Sequence, residues 1–257
     1  MRFRSTRAPS HRTWQAWRAA VLVVIGGITS EAWGCNSLVI TMPSSLGLSG
    51  CISKESVDNL LARFHDDVRH LVVQSEGGAV GPAIDLARRL SAARATLRVR
   101  GRCDSSCANY LMPAAIRVEV ETGSRIGFHG DVELTMERTT LTPELEKVRP
   151  SLEGVREQER AFRADMPKAA EVHVLQRVAS APPGPISVDA PRKMTCQGLG
   201  RVFWTPDLSL LQDLGLVHAV VPTDNLLKEH LPRQDIPPLP APSAGGDPRA
   251  GCSPRWP

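Results

Sequence analysis

The strongest constraint on this chain is an alternation. Between Leu46 and Phe128, short aliphatic runs take turns with segments of helical period. Leu46 to Ile52 reads as a short strand. Ser53 is then a good N-cap for a helix in which Val57, Leu60, Leu61, Phe64 and Val68 recur at helical spacing. Leu71-Val72-Val73 is the next strand, and it ends in Ser75-Glu76-Gly77-Gly78. A second helix starts near Pro82, whose missing N–H is harmless in a first turn, with Ala83, Ile84, Ala87 and Leu90 along one face. Thr96 to Arg100 is a third strand. The segment Gly101-Arg102-Cys103-Asp104-Ser105-Ser106-Cys107 leads from it into an apolar helix reaching Met112, which Asp104 or Ser105 is placed to cap. Strands at Ile116 to Val120 and Arg125 to Phe128 follow. This β-α-β-α-β-α-β order implies parallel strands joined by right-handed crossovers, and hence an α/β fold.

The flanks read less sharply. Leu38 to Met42 is a strand before the turn Pro43-Ser44-Ser45. Residues 142 to 180 are charged and mostly helical, interrupted at Pro150 and Pro167, and form a helical arm. Pro182 to Pro191 is a proline-rich loop. A closing unit has Thr205 as N-cap, Pro206 at the first helical position, Leu208, Leu211 and Leu214 inside, Gly215 as the stop and a strand from Leu216 to Val221. Residues 33–231 are therefore one α/β domain, with its arm at about 142–180, and 232–257 is a Pro- and Gly-rich tail expected to be disordered. With aromatics at only 4% of the chain, the core must be aliphatic.

Residues 1–32 read as targeting rather than fold. Arg2, Arg4, Arg7, Arg12 and Arg18 precede an apolar run from Ala19 to Ile28, and Ser30 and Ala32 stand at the -3 and -1 positions of a cleavage after Ala32. The expected location is the periplasm, or the inner membrane facing it if this segment stays uncleaved as an anchor, which is the one expected membrane contact. The segment's five Arg and one Glu amount to the whole net charge of +4. The remainder is nearly neutral, so no nucleic-acid partner is expected. Six cysteines in an exported chain suggest disulfides, with Cys103–Cys107 and Cys35–Cys51 as local candidates. No Cys/His set shows zinc-ligand spacing, and no metal or cofactor is expected.

Three signals carry chemistry. The diglycine at 77–78 ends a strand, where backbone N–H groups can approach a ligand closely. Ser105 stands at a strand-to-helix turn, where free N–H groups and the positive end of the helix dipole can hold an oxyanion. His129, in Gly127-Phe128-His129-Gly130, ends the next strand pair and can deprotonate a hydroxyl. Singly, each is better explained by a tight turn, a helix cap, and a structural or surface histidine.

In this order the three resemble the ClpP/crotonase superfamily, and in particular exported ClpP-like proteins. The likeness covers about residues 46 to 222 and includes the closing Gly215-Leu216-Val217. It implies a spiral of βαβ units in which Ser105 is the nucleophile and His129 its base. The backbone N–H groups of Gly78 and Ser106 then form the oxyanion hole, and Ser106 is a rival nucleophile. It also implies a peptide or protein substrate and a homo-oligomer assembled through the arm. The sequence departs from the family at the third catalytic position, an aspartate there and Arg201 here. Asp207, Asp189 and Asp131 are the nearby alternatives, and a Ser–His dyad held by a backbone carbonyl or water is another. The resulting reading is a serine peptidase or acyl hydrolase. Its rivals are a non-catalytic ClpP-like module that binds peptides or a partner, and the acyl-CoA branch of the fold, which uses two backbone N–H groups in the same way.

Overall fold

The computed structural model describes residues 36–42, 44–138, 143–179, 192–197, 201–224 and 231. The targeting segment, Cys35, Pro182 to Pro191 with Asp189, and the tail lie outside them. Among the described residues no helix is long and apolar enough to cross a membrane.

The expected alternation is present. Strands β1 (Ser37–Met42), β2 (Ser45–Ile52), β3 (His70–Gly78), β4 (Thr96–Asp104) and β5 (Arg117–Glu121) lie side by side in that order. Helices α1 (Lys54–Leu61) and α2 (Val80–Ala92) link β2 to β3 and β3 to β4, and all pairs from β2 to β5 are parallel. Only β1 runs against its neighbour β2, as a hairpin turning at Ser44 with φ of 53°. The chain therefore has a mixed α/β fold.

The register explains why aliphatic runs became strands. Leu46, Leu71, Leu97 and Val118 pair in one row across four strands, and Leu48, Val73, Val99 and Val120 in the next. All eight are fully buried. Each such side chain contributes about 1.5–3 kcal/mol when removed from water. Slipping one strand by a residue would turn its row to the other face, so the pattern locks the register. On α2, Ala83, Ile84, Leu86, Ala87 and Leu90 are buried in the same core.

The regular pairing fails near the strands' C-terminal ends. The β2–β3 register shifts between Ser49 and Cys51, and the β3–β4 register between Val73 and Ser75. Strand β4 also changes partner. Its first half pairs with β5, and Arg102, Cys103 and Asp104 pair with β6 (Arg125–Gly127). Gly123, with φ of 73°, turns the chain between β5 and β6, and Ser124 Oγ accepts the Gly101 N–H at 2.9 Å. This change of partner carries Phe128 and His129 to the end of β4.

Three sequence expectations need correction. Helix α1 stops at Leu61; Phe64 and Val68 are buried from turns, where Asp66 and Asp67 oppose the negative end of a helix dipole. Pro150 does not interrupt its helix, which runs unbroken from Pro143 to Asp165 (α5, after α4 at Val132–Arg138, with α3 at Met112–Ala114). Pro150 and Glu146 are both exposed, so water can take the carbonyl that proline leaves unpaired. The break at Pro167 is present, and α6 (Pro167–Ala179) begins there. Phe162 of α5 and Ala169 and Val172 of α6 are buried in the main core.

The third correction concerns Thr205 and Pro206. They do not start a helix; they pair with Lys193 and Arg192 in a small antiparallel sheet of β7 (Arg192–Gln197) and β8 (Arg201–Pro206). Asp207 is the N-cap, and α7 spans Leu208–Asp213. Gly215 does end it, at φ of 64°. The Leu216 N–H reaches the Leu211 carbonyl at 2.8 Å and the Gly215 N–H reaches Gln212 at 2.9 Å, a Schellman stop. Leu216 and Val217 enter the core, and β9 (Ala219–Val221) joins β5 in parallel.

Candidate active site

Ser105 follows β4 directly. Its backbone has φ of 58°, in the left-handed region that residues other than Gly, Asn and Asp avoid at a cost of about 1–2 kcal/mol. Several restraints hold it there. The Ser105 N–H donates to the Gly127 carbonyl at 2.8 Å, and the Ser105 carbonyl accepts from Asn109 at 2.9 Å. Cys103 and Cys107 form a disulfide across the serine, with their Cα atoms 5.3 Å apart. Cys51 is disulfide-bonded too; Cys35, its expected partner, is outside the described residues. Asp104 Oδ2 accepts from Arg125 at 2.6 Å and from Arg102 Nε at 3.1 Å.

Neither residue expected to cap the next helix does so. Asp104 is held by arginines and Ser105 by a histidine. Ser106 takes the N-cap place without a side-chain cap bond, and its Oγ is buried without a partner. The segment Cys107–Leu111 that follows is a π-helical turn, a geometry frequent at functional sites.

Ser105 Oγ lies 2.5 Å from His129 Nε2. On the other side of the ring, Nδ1 lies 2.5 Å from the Gly130 carbonyl. A carbonyl only accepts, so Nδ1 carries the proton and, in the neutral ring, Nε2 presents its lone pair to the serine hydroxyl. Asn109 Nδ2 donates to the His129 carbonyl at 3.2 Å and steadies the loop.

The diglycine faces the same turn. A Cβ on Gly77 would stand 2.5 Å from Ser105 Cβ and 2.9 Å from the Ser106 nitrogen. Gly77 and Gly78 have φ of 90° and 153°, and a Cβ on Gly78 would meet the Ile52 carbonyl at 2.1 Å. Ser105, Ser106, His129 and the diglycine thus come together, although up to 52 residues separate Gly77 from His129.

Of the third-member candidates, Asp207 and Asp131 are among the described residues. Asp207 stands at the N-cap position of α7, where its side chain makes no cap hydrogen bond. Asp131 caps α4, its Oδ1 accepting the Leu134 N–H at 2.9 Å, while Oδ2 accepts from Arg163 at 2.8 Å and faces His173 Nδ1 at 2.6 Å. Among the described residues, no three His, Cys, Asp or Glu side chains are grouped to hold a metal ion.

Asn109 and Glu159 were not singled out in the sequence. Asn109 had a signal, a polar residue four places after Ser105 in an otherwise apolar segment. Glu159 had none, since it stands among other charged residues in Arg156 to Arg160. Yet it is fully buried, where it accepts from the Tyr110 hydroxyl and the Val132 N–H. Burial, then the charge of Asp131, push its carboxyl up to about 7.

No protein-family model matches the sequence, and no curated protein is similar to it. In three dimensions it is similar to an enoyl-CoA hydratase/isomerase from Marinobacter aquaeolei, at 12% identity over 76% of this chain and 74% of that one, with a TM-score of 0.40. An enoyl-CoA hydratase from Bacillus anthracis gives 13%, 76%, 73% and 0.39. A monofunctional enoyl-CoA isomerase from M. smegmatis gives 12%, 76%, 80% and 0.39.

Proposed function

We propose that this chain is an exported ClpP-like serine hydrolase acting on peptide or protein. The observation that carries this reading is the Ser105 Oγ to His129 Nε2 contact of 2.5 Å, with the far side of the ring held at the Gly130 carbonyl. Ser105 attacks the scissile carbonyl as His129 Nε2 takes its proton. The N–H groups of Gly78 and Ser106 hold the oxyanion. The leaving amine then takes the proton from His129, and water, activated by the same ring, releases the acyl group. A neutral carbonyl stabilises the imidazolium less than a carboxylate does, so turnover is expected to be slow. Disulfides at Cys103–Cys107 and at Cys51 favour an oxidising compartment. A hydrogen-bonded serine–histidine pair is chemistry that acyl transfer uses and enoyl-CoA hydration does not need.

A second reading, a peptide-binding module without turnover, is favoured by the 5% exposure of Ser105. A fluorophosphonate probe separates the two. The hydrolase reading expects labelling of the folded protein, absent in Ser105→Ala and about 100-fold slower or more in His129→Ala. A folded wild-type protein that the probe leaves unmodified would overturn it.

A further inference from the structure

Glu159 is remote in sequence from both Ser105 and His129, yet it touches the segments that carry them. Its Oε1 accepts from the hydroxyl of Tyr110, which lies on the π-helical turn five residues after Ser105. The Val132 N–H, three residues past His129, reaches Oε1 at 3.3 Å and Oε2 at 3.1 Å. A ring of contacts results: Ser105 to Tyr110 through the turn, Tyr110 to Glu159, Glu159 to Val132, Val132 to His129 through the loop, and His129 back to Ser105.

Every element packed around Glu159 adds its own charged or titratable groups. The turn brings Tyr110, whose ring meets Phe162 of α5 edge-on at 5.7 Å. The loop and α4 bring Asp131 and Glu133. Helix α5 itself brings Arg163, which pairs with both, and Arg160, which pairs with Glu133. Helix α6 brings His173, against Asp131.

We propose that Glu159 is a positioning residue for the Ser105–His129 pair, holding turn and loop together when ionised and loosening them when protonated. Ionised, it offers only acceptors, which match the Tyr110 hydroxyl and the Val132 N–H. Protonated, one oxygen becomes a donor. With the proton on Oε1 the tyrosine hydroxyl must reverse or lose its partner; with it on Oε2 the hydroxyl and the Val132 N–H both keep Oε1, now a neutral acceptor in place of a charge-assisted one, which is about twice as strong. The carboxyl titrates at about 7, so the change falls in the neutral range. The kinetic consequence rests on the hydrolase reading; the geometric one does not.

Two readouts on the full chain keep these apart. The first is the ¹⁵N shift of His129 Nε2 against pH, in wild type, Glu159→Gln and Tyr110→Phe. Wild type should show a second step besides the ring's own titration. Glu159→Gln should lose that step. Tyr110→Phe should move it up by about 0.5–1 pH unit, because it removes a hydrogen bond to the carboxylate. The second is the fluorophosphonate labelling rate against pH. It should rise on the acid side through two deprotonations in wild type and through one in Glu159→Gln.

Identical histidine titrations in all three proteins would overturn the proposal, whatever the labelling shows. A two-step titration with no Ser105 labelling would leave it standing and remove the hydrolase reading. If Glu159→Gln does not fold, Tyr110→Phe decides by the presence or absence of the upward shift.

Discussion

Gly77 approaches Ser105 so closely that a methyl group on the glycine would stand 2.5 Å from the serine Cβ. Carbon atoms do not share that space, and the Asp104 carbonyl, 2.7 Å from the same point, blocks retreat. Gly77→Ala should therefore displace the Ser105 turn. Its φ of 90° adds strain of about 1–3 kcal/mol. Expected together are a lower melting temperature and loss of fluorophosphonate labelling. Wild-type labelling in Gly77→Ala would contradict the crowding.

The strain at Ser105 makes its own prediction. A glycine adopts φ of 58° freely, whereas alanine keeps the Cβ that causes the strain. Ser105→Gly and Ser105→Ala both lose the hydroxyl bond to His129. Of the two, Ser105→Gly should be the more stable by about 0.5–1 kcal/mol, the difference in backbone strain less the greater freedom of glycine in the unfolded chain. Denaturant unfolding of the pair measures this directly.

The Cys103–Cys107 disulfide closes a short loop around the serine. A five-residue loop corresponds to about 2 kcal/mol of stabilisation in the chain-entropy description. The double variant Cys103→Ala with Cys107→Ala should lose about that much in urea. Its labelling rate should also fall well beyond the loss of folded protein, because the disulfide is one of the restraints on Ser105. A variant equal to wild type in both respects would show that the remaining hydrogen bonds suffice.

Glu159 ties stability to pH. Its folded carboxyl is raised to about 7 from a usual 4.5. Between those values the folded state binds more protons than the unfolded state, so stability falls as pH rises. The contribution is fully present below about 4.5 and lost above about 7, and a shift of that size corresponds to about 3 kcal/mol. Other carboxylates have the opposite sign. Glu119 is the example: burial raises it, but hydrogen bonds from Arg98 and Arg117 outweigh burial and hold it below the usual range. The measurement is therefore a difference. The stability of Glu159→Gln minus that of wild type should rise across this window, and a flat difference would show that Glu159 titrates normally.

Much of the frame was legible in the residues. Aliphatic runs with helical segments between them pointed to parallel βαβ units, and that arrangement buries rows such as Leu46, Leu71, Leu97 and Val118. The β7–β8 hairpin was missed, since polar and charged residues such as Arg192, Lys193, Thr195 and Gln197 give no apolar alternation to read. The break expected at Pro150 was absent because local propensity does not report which carbonyls face water.

The chain's own order of residues determined the alternation, the diglycine, the serine at a strand end and the histidine after the next strand pair. Tertiary structure alone decided that β4 changes partner from β5 to β6, which brings His129 to Ser105, and that Glu159, one carboxylate among many on α5, is buried between Tyr110 and Val132. The reason is physical. Periodicity records which face of an element is apolar, while a hydrogen bond depends on positions fixed only when separate elements pack.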